Sequence, residues 1–179
     1  GWELTGITSF QSGAPYTILQ GTDRDGDGRT GGDRPDIGNP NAPHNTRAVI
    51  DSTCGTGYRN PDTKGCVTTN DVFVFQATGF PNARTIGRNT ERTKGVNNFD
   101  IDLLKRFVIT ERFRLEYRLE AFNVFNHPQF TSVPVTPGAA SLRTVTSTSA
   151  GQFLNLGSTG PTSLNGGGRT MRMGLKLLF

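Results

Sequence analysis

The sequence predicts an all-β protein, an antiparallel transmembrane β-barrel segment of about four long strands joined by long extracellular loops. Polar and apolar residues alternate along several stretches, which is the pattern of a strand with two different faces. Glycine, asparagine, threonine and serine fill the connections, and glycine alone accounts for 23 of the 179 residues. No run approaches the roughly 18 consecutive apolar residues of a transmembrane helix, whereas a barrel strand needs only every second residue to be apolar.

The first two strands are predicted over about residues 2–20 and 97–108. In the first, glycine and proline at Gly13–Pro15 interrupt the alternation, and we interpret this interruption as a bulge. In the second, Asp100 and Asp102 alternate with apolar residues, so the two carboxylates share one face.

The third and fourth strands, about residues 112–124 and 169–179, have the clearest alternation. One face is apolar and is predicted to contact lipid: Phe113, Leu115, Tyr117, Leu119, Met171, Met173, Leu175, Leu177 and Phe179. The opposite face is charged and is predicted to face the lumen: Arg114, Glu116, Arg118, Glu120, Arg172 and Lys176. Such a face suits any water-filled lumen as well as a path for a solute, and both interpretations stay open.

The connections differ in length at the two ends of the strands. A short turn near Thr110–Glu111 joins the second and third strands, whereas long loops cover about residues 21–96 and 126–165. Barrels of the bacterial outer membrane have short periplasmic turns and longer extracellular loops. We therefore expect this membrane as the location, with extracellular long loops and a periplasmic C-terminus. The alternative is a soluble β-sandwich, whose strands alternate in the same way.

An aspartate-rich stretch that begins at Asp23 is the strongest candidate for a metal site. Its first three aspartates have the spacing of the first, third and fifth ligand positions of a calcium loop, and a glycine follows them. Arg34 replaces the glutamate that ends such a loop, so Asp33 beside it, or Asp36, is expected to take its place. The alternative is a solvated acidic turn. The predicted calcium ligands are Asp23, Asp25, Asp27 and Asp33.

Cys54 and Cys66, the only two cysteines, lie in a polar stretch rich in glycine and aspartate. An even number of cysteines in an exposed loop predicts a disulfide and an oxidising compartment. The alternative is a pair of free thiols in a cytosolic loop.

Other chemistry is not predicted. His44 and His127 are isolated, and no cluster of cysteine and histidine has the spacing of a zinc site. The sequence also shows no Gly-x-Ser-x-Gly motif and no pair of a nucleophile with a general base. We therefore expect no enzyme activity. The net charge of +4 is mild and its arginines are spread along strands, so nucleic acid is not an expected partner.

Five stretches carry motifs that resemble one family when taken in order. They are Gly1–Ile7 (GWELTGI), Gln11–Ile18 (QSGAPYTI), Asp23–Pro35 (DRDGDGRTGGDRP), Gly87–Phe107, which contains GRNT and NNFDIDLLKRF, and Glu120–Phe130 (EAFNVFNHPQF). The sequence thereby resembles the C-terminal β-barrel portion of Oar-like TonB-dependent receptors, which carry a carboxypeptidase-regulatory-like N-terminal domain.

The resemblance implies a barrel of about 22 strands that is filled by a plug domain. This chain, which begins inside a strand pattern, is then expected to be the last part of that barrel. The implied partners are the remainder of the barrel, the plug domain, outer-membrane lipid, the barrel-assembly machinery and the inner-membrane energy-coupling complex. The implied function is energy-coupled uptake of a solute.

A structural or adhesive assembly at the cell surface is the alternative function. Four strands do not close a barrel, and unpaired strand edges pair readily with other chains. Barrel fragments, including copies of this chain, would then associate edge to edge.

Overall fold

The computed structural model describes residues 1–129, 143–148, 153–154 and 168–179. Within those ranges every regular element is a β-strand, and no helix is long and apolar enough to cross a membrane. The strands are β1 (Trp2–Gln11), β2 (Pro15–Tyr16), β3 (Asp36–Ile37), β4 (Arg47–Ile50), β5 (Tyr58–Arg59), β6 (Val74–Phe75), β7 (Glu91–Arg92), β8 (Val96–Val108), β9 (Arg114–Phe122) and β10 (Thr170–Leu178).

The long strands form one antiparallel sheet of four, in the order β1-β8-β9-β10. The predicted all-β antiparallel architecture is confirmed. The sheet does not close into a barrel, and within the described ranges β1 and β10 each pair on one side only. A tight turn joins β8 to β9, where the backbone N–H groups of Ile109 and Thr110 both donate to the carbonyl of Phe113.

The strand register places side chains of the same character in rows across the sheet. One row on the apolar face contains Leu4, Leu103, Leu119 and Met173. The next row towards the β8–β9 turn contains Trp2, Lys105, Tyr117 and Leu175. Residues between these rows lie on the other face, which is polar. The alternation that is visible in the sequence is therefore the alternation of the two sheet faces.

The first long strand ends earlier than the sequence predicts. β1 ends at Gln11 and does not resume after Gly13–Pro15 as a bulged strand. Pro15 and Tyr16 pair instead with Arg92 and Glu91 in a separate two-stranded sheet. Proline has no backbone N–H for the β8 ladder, and Ala14 exchanges hydrogen bonds with Thr93, so the chain leaves the main sheet here.

The stretch predicted as one long loop over about 21–96 has its own regular structure. It contains β3 to β7, and a small sheet has the order β3-β6-β4-β5. This stretch belongs to a second compact unit, which comprises Ala14–Thr93 and Thr131–Thr159. Its core has two apolar clusters, one around Ile18, Val74 and Ile86 and one around Ala48 and Phe75. Strands this short cannot show an alternating pattern, which is why sequence reasoning missed them.

Buried arginines hold the second unit together. The Arg24 side chain is fully buried and forms a 2.7 Å ion pair with Asp36, and it also donates to the carbonyls of Gly79 and Phe80. Arg47 is equally buried and pairs with Asp62 at 2.8 Å. Each guanidinium has several donors, so one side chain can join loops that are distant in sequence.

We predict that Asp36→Ala will destabilise the second unit by about 3–5 kcal/mol, because it leaves the Arg24 charge buried without a partner. Hydrogen exchange of residues 77–86 measures this loss. Asp71→Ala is the matched control, since this exposed carboxylate accepts hydrogen bonds from Thr68 in its own turn, and its loss should leave the protection of residues 77–86 close to that of the wild type. Equal protection in the two variants would contradict the role of the buried pair.

Candidate functional site

The polar face of the main sheet carries an alternating set of charges. All six residues predicted to face the lumen lie on it: Arg114, Glu116, Arg118, Glu120, Arg172 and Lys176. Arg172 lies opposite Glu120, and Lys176 lies opposite Glu116. Neighbouring strands thus bring opposite charges together, as the period of two requires.

Two arginines each bridge two carboxylates on this face. Arg106 lies 3.2 Å from both Glu3 and Glu116 and so links β1, β8 and β9. Arg118 lies 2.6 Å from Asp102 and 3.3 Å from Glu120. Both guanidinium groups are about half exposed, so these networks position side chains and contribute little stability.

A shallow pocket of about 360 Å³ lies beside Arg118 on the polar face. Its polar lining comes from Thr5, Asp100, Asp102, Arg118 and Glu120, and its apolar lining includes Ile7 and Phe122. One Asp102 oxygen, Oδ1, is buried there and has no hydrogen-bond partner within the described ranges. The pocket therefore offers both signs of charge to a polar group.

The opposite face is apolar and open. Leu4 and Leu175 are each 70% exposed, and Met173 is 76% exposed. A soluble β-sandwich needs a second layer over these side chains, and the described part of the chain supplies none. The residues predicted to contact lipid within β9 and β10 all lie on this face: Leu115, Tyr117, Leu119, Met171, Met173, Leu175 and Leu177. Phe113 and Phe179, which flank these strands, are also exposed.

The aspartate-rich loop is organised mainly by its own backbone. Asp23 accepts hydrogen bonds from the N–H groups of Gly26 and Gly28, both of which have a positive φ. One carboxylate oxygen from each of Asp23, Asp25 and Asp33 lies within 4.8 Å of the others. Asp27 is outside this group, and its Oδ1 accepts from the N–H of Arg29. Calcium binding stays a prediction, with three grouped carboxylates where the sequence predicted four.

Titrating calcium into the folded protein tests this prediction. We expect weak binding, in the range of extracellular modules at about 10⁻⁴–10⁻³ M, because few charged ligands are grouped. Asp25→Ala should abolish the binding, whereas Asp27→Ala should leave most of it. No heat of binding and no stabilisation in the wild type would contradict the metal site.

The predicted disulfide is confirmed. Cys54 and Cys66 are bonded, with an S–S distance of 2.02 Å and a Cα–Cα distance of 5.5 Å. Nearby, hydrogen bonds from Thr53 and then Arg59 lower the pKa of Asp51 to about 2. Because the pKa is lowered, the ionised carboxylate stabilises this loop at pH values above its usual range, and the effect is lost as the pH falls through about 2.

One tyrosine at the start of the second unit also has a shifted pKa. Burial, and secondarily the charge of Glu91, raises the pKa of Tyr16 to about 12. The phenol therefore stays neutral to a higher pH than that of an exposed tyrosine.

The stretch after β9 forms a hydrogen-bonded cap that sequence reasoning did not foresee. Asn123 has a positive φ, and its side chain both accepts from the N–H and donates to the carbonyl of His127. The Gln129 side chain exchanges two hydrogen bonds with the backbone of Asn97, at the start of β8. Asn126 accepts from the N–H of Arg169 just before β10. Asparagine and glutamine in a motif after a strand are the signal that could have indicated such a cap.

A family model described as an outer membrane beta barrel domain matches residues 1–171. The chain belongs to this family. No curated protein and no solved structure matches it.

Membership explains the two faces of the sheet. An outer-membrane barrel domain has strands with an apolar outer face and a polar inner face, and the main sheet has this division. The bacterial outer membrane is accordingly the location of this barrel domain.

Proposed function

We propose that this outer-membrane barrel domain is the C-terminal part of an Oar-like TonB-dependent receptor that serves energy-coupled uptake of a solute. The observation that carries the proposal is the main sheet itself. It has one exposed apolar face and one ion-paired polar face, and its edge strands β1 and β10 each pair on one side only among the described residues. The five ordered motifs favour this receptor family among outer-membrane barrels.

The two faces have different partners in this proposal. The apolar face contacts the lipid of the outer membrane, and the polar face lines the lumen towards the plug domain. Fixed ion pairs at Arg106 and Arg118 keep long side chains in defined positions, which suits a wall against which another surface moves. The pocket beside Arg118 is the place on this wall where a polar group of the plug or of a solute fits best.

The edge strands define the remaining partners. Unpaired N–H and C=O groups are costly in a hydrocarbon layer, so further strands pair with β1 and β10 in the membrane. The remainder of the barrel supplies these strands, and the barrel-assembly machinery inserts them. The inner-membrane energy-coupling complex drives the plug, and the long connections face the cell exterior while the C-terminus is periplasmic.

The same edge strands favour a second candidate function. If copies of this chain pair β1 with β10, they form a structural or adhesive assembly at the cell surface. In a receptor barrel, by contrast, β1 and β10 pair with strands outside this chain. The two candidates therefore differ in the partner of each edge.

Cysteine labelling of whole cells tests the orientation. Asn70 lies in a long connection and Glu111 in the β8–β9 turn, and both are exposed. A membrane-impermeant maleimide should label Asn70→Cys on intact cells, and Glu111→Cys only after the outer membrane is permeabilised. The native cysteines do not react with maleimide because they form a disulfide. The reverse pattern would contradict the proposed orientation.

Transport is tested by the solutes that cells remove from their medium. Cells without this gene and cells without the energy-coupling complex should both fail to remove the same solute, which wild-type cells deplete. If the two strains leave different solutes behind, or none, coupled uptake is wrong.

A second experiment tests whether β1 of one copy of the chain pairs with β10 of another copy. Thr5 lies on β1 and Gly174 on β10, and a Cβ at Gly174 meets no atom within 4 Å. If the chain is part of a receptor barrel, the oxidised double variant Thr5→Cys/Gly174→Cys should show no disulfide-linked multimers on a non-reducing gel. A series of such multimers would instead support the surface assembly.

A further inference from the structure

Lys105 is the one charged side chain on the apolar face among the described strands of the main sheet. The register places it between Trp2 on β1 and Tyr117 on β9. Every ion-paired residue of the sheet lies on the polar face instead. A charge on a face that meets hydrocarbon is costly unless its head reaches a polar layer, so Lys105 calls for an explanation.

The Lys105 ammonium leans towards the end of the sheet where the β8–β9 turn lies. Its Nζ is 4.5 Å from the centre of the Trp2 ring and 5.3 Å from that of Phe107, which is two residues closer to the turn. A lysine that snorkels has this orientation: its aliphatic stem covers apolar surface, and its ammonium lies at the membrane–water interface. Within the described ranges no carboxylate forms a salt bridge with it.

The row that contains Trp2, Lys105 and Tyr117 lies at one end of the apolar face, where a membrane boundary is expected. From Trp2 to Phe10, β1 extends about 26 Å at about 3.3 Å per residue, or about 20 Å across a layer at a 40° tilt. At the far end, Phe99 forms edge-to-face contacts with Phe10 at 5.3 Å and with Phe125 at 4.9 Å. Aromatic residues therefore mark both ends of an apolar band, which in such barrels is about 25 Å tall.

We propose that Lys105, with Trp2 and Tyr117, binds the phosphate group of an anionic glycerophospholipid at this boundary. The ammonium donates to the phosphate oxygens, and the two aromatic rings pack against the glycerol and upper acyl chains. The assignment rests on the proposed function, in which the apolar face meets lipid and the β8–β9 turn is periplasmic. The positive charge of Lys105, which forms no salt bridge within the described ranges, selects a lipid of net negative charge.

Trp2 gives a direct optical test, because it is the only tryptophan of the sequence and touches the proposed site. The protein is reconstituted in phosphatidylcholine bilayers that contain an equal minor fraction of brominated phosphatidylglycerol or brominated phosphatidylcholine. Subtracting the signal of the Trp2→Phe variant isolates the fluorescence of this residue. Bromine quenches at short range, so the ratio of quenching by the two lipids reports their relative occupancy beside Trp2.

We expect the anionic lipid to be enriched about five-fold beside Trp2, which is the effect of one cationic side chain near the membrane surface. Lys105→Gln should bring the ratio to one, and Lys105→Arg should retain it. Lys176→Gln is the matched control and should retain the ratio, because Lys176 lies on the polar face. Added salt should lower the wild-type ratio through screening.

The outcomes separate the site from the proposed function. Equal quenching by both lipids in the wild type, or an unchanged ratio in Lys105→Gln, overturns the selective binding of an anionic lipid at Lys105 and leaves a lipid-facing sheet in place. No quenching by either lipid overturns both, because the apolar face then does not meet lipid at all.

Discussion

Hydrogen bonding of the backbone is the constraint on which the main sheet depends. A hydrocarbon layer offers no partner to an N–H or C=O group, so each must be satisfied inside the protein. β8 has a ladder on both sides, with β1 and β9, and β9 likewise lies between β8 and β10. β1 and β10 have one ladder each among the described residues. In the receptor that we propose, further strands pair with these two edges and complete the barrel wall.

The two compact units use charge in different ways. On the main sheet, Arg106 and Arg118 are about half exposed and bridge carboxylates across strands, where water screens each pair. In the second unit, Arg24 and Arg47 are fully buried, and backbone carbonyls accept much of their hydrogen bonding. The first arrangement organises a wetted surface. The second joins short strands and turns beside the two apolar clusters of that unit.

Much of the main sheet could be predicted from the sequence, because alternation is a property of neighbouring residues. Leu119 and Met173 were assigned to one face and Arg118 to the other, and the register agrees with both assignments. The end of the first strand was predicted wrongly for a related reason. The residues after Pro15 resume an alternating pattern, but Tyr16 pairs with β7 and Leu19 forms a bridge with Thr144. No local pattern shows which strand a residue will pair with.

The aspartate loop and the cap after β9 show that sequence motifs indicate which residues matter but not which contacts they form. Spacing indicated a group of carboxylates, and three of them do lie together, yet Asp27 accepts a backbone hydrogen bond outside that group. The motif around Asn123 was noted only for its resemblance to the receptor family. Its contacts with Asp100 and His127 depend on a left-handed backbone at Asn123, which the composition permits but does not require.

By itself, the sequence determined the strand class, the two faces of the long strands and the pair of cysteines that bond. These follow from the period of two along a strand and from the presence of only two thiols. The tertiary structure alone decided that Arg24 meets Asp36 and the carbonyl of Gly79, and that Lys105 lies between Trp2 and Phe107. The contacts of Arg24 with Gly79 and of Lys105 with Trp2 join residues far apart in the chain. They therefore depend on strand pairing and chain reversal, which no local pattern encodes.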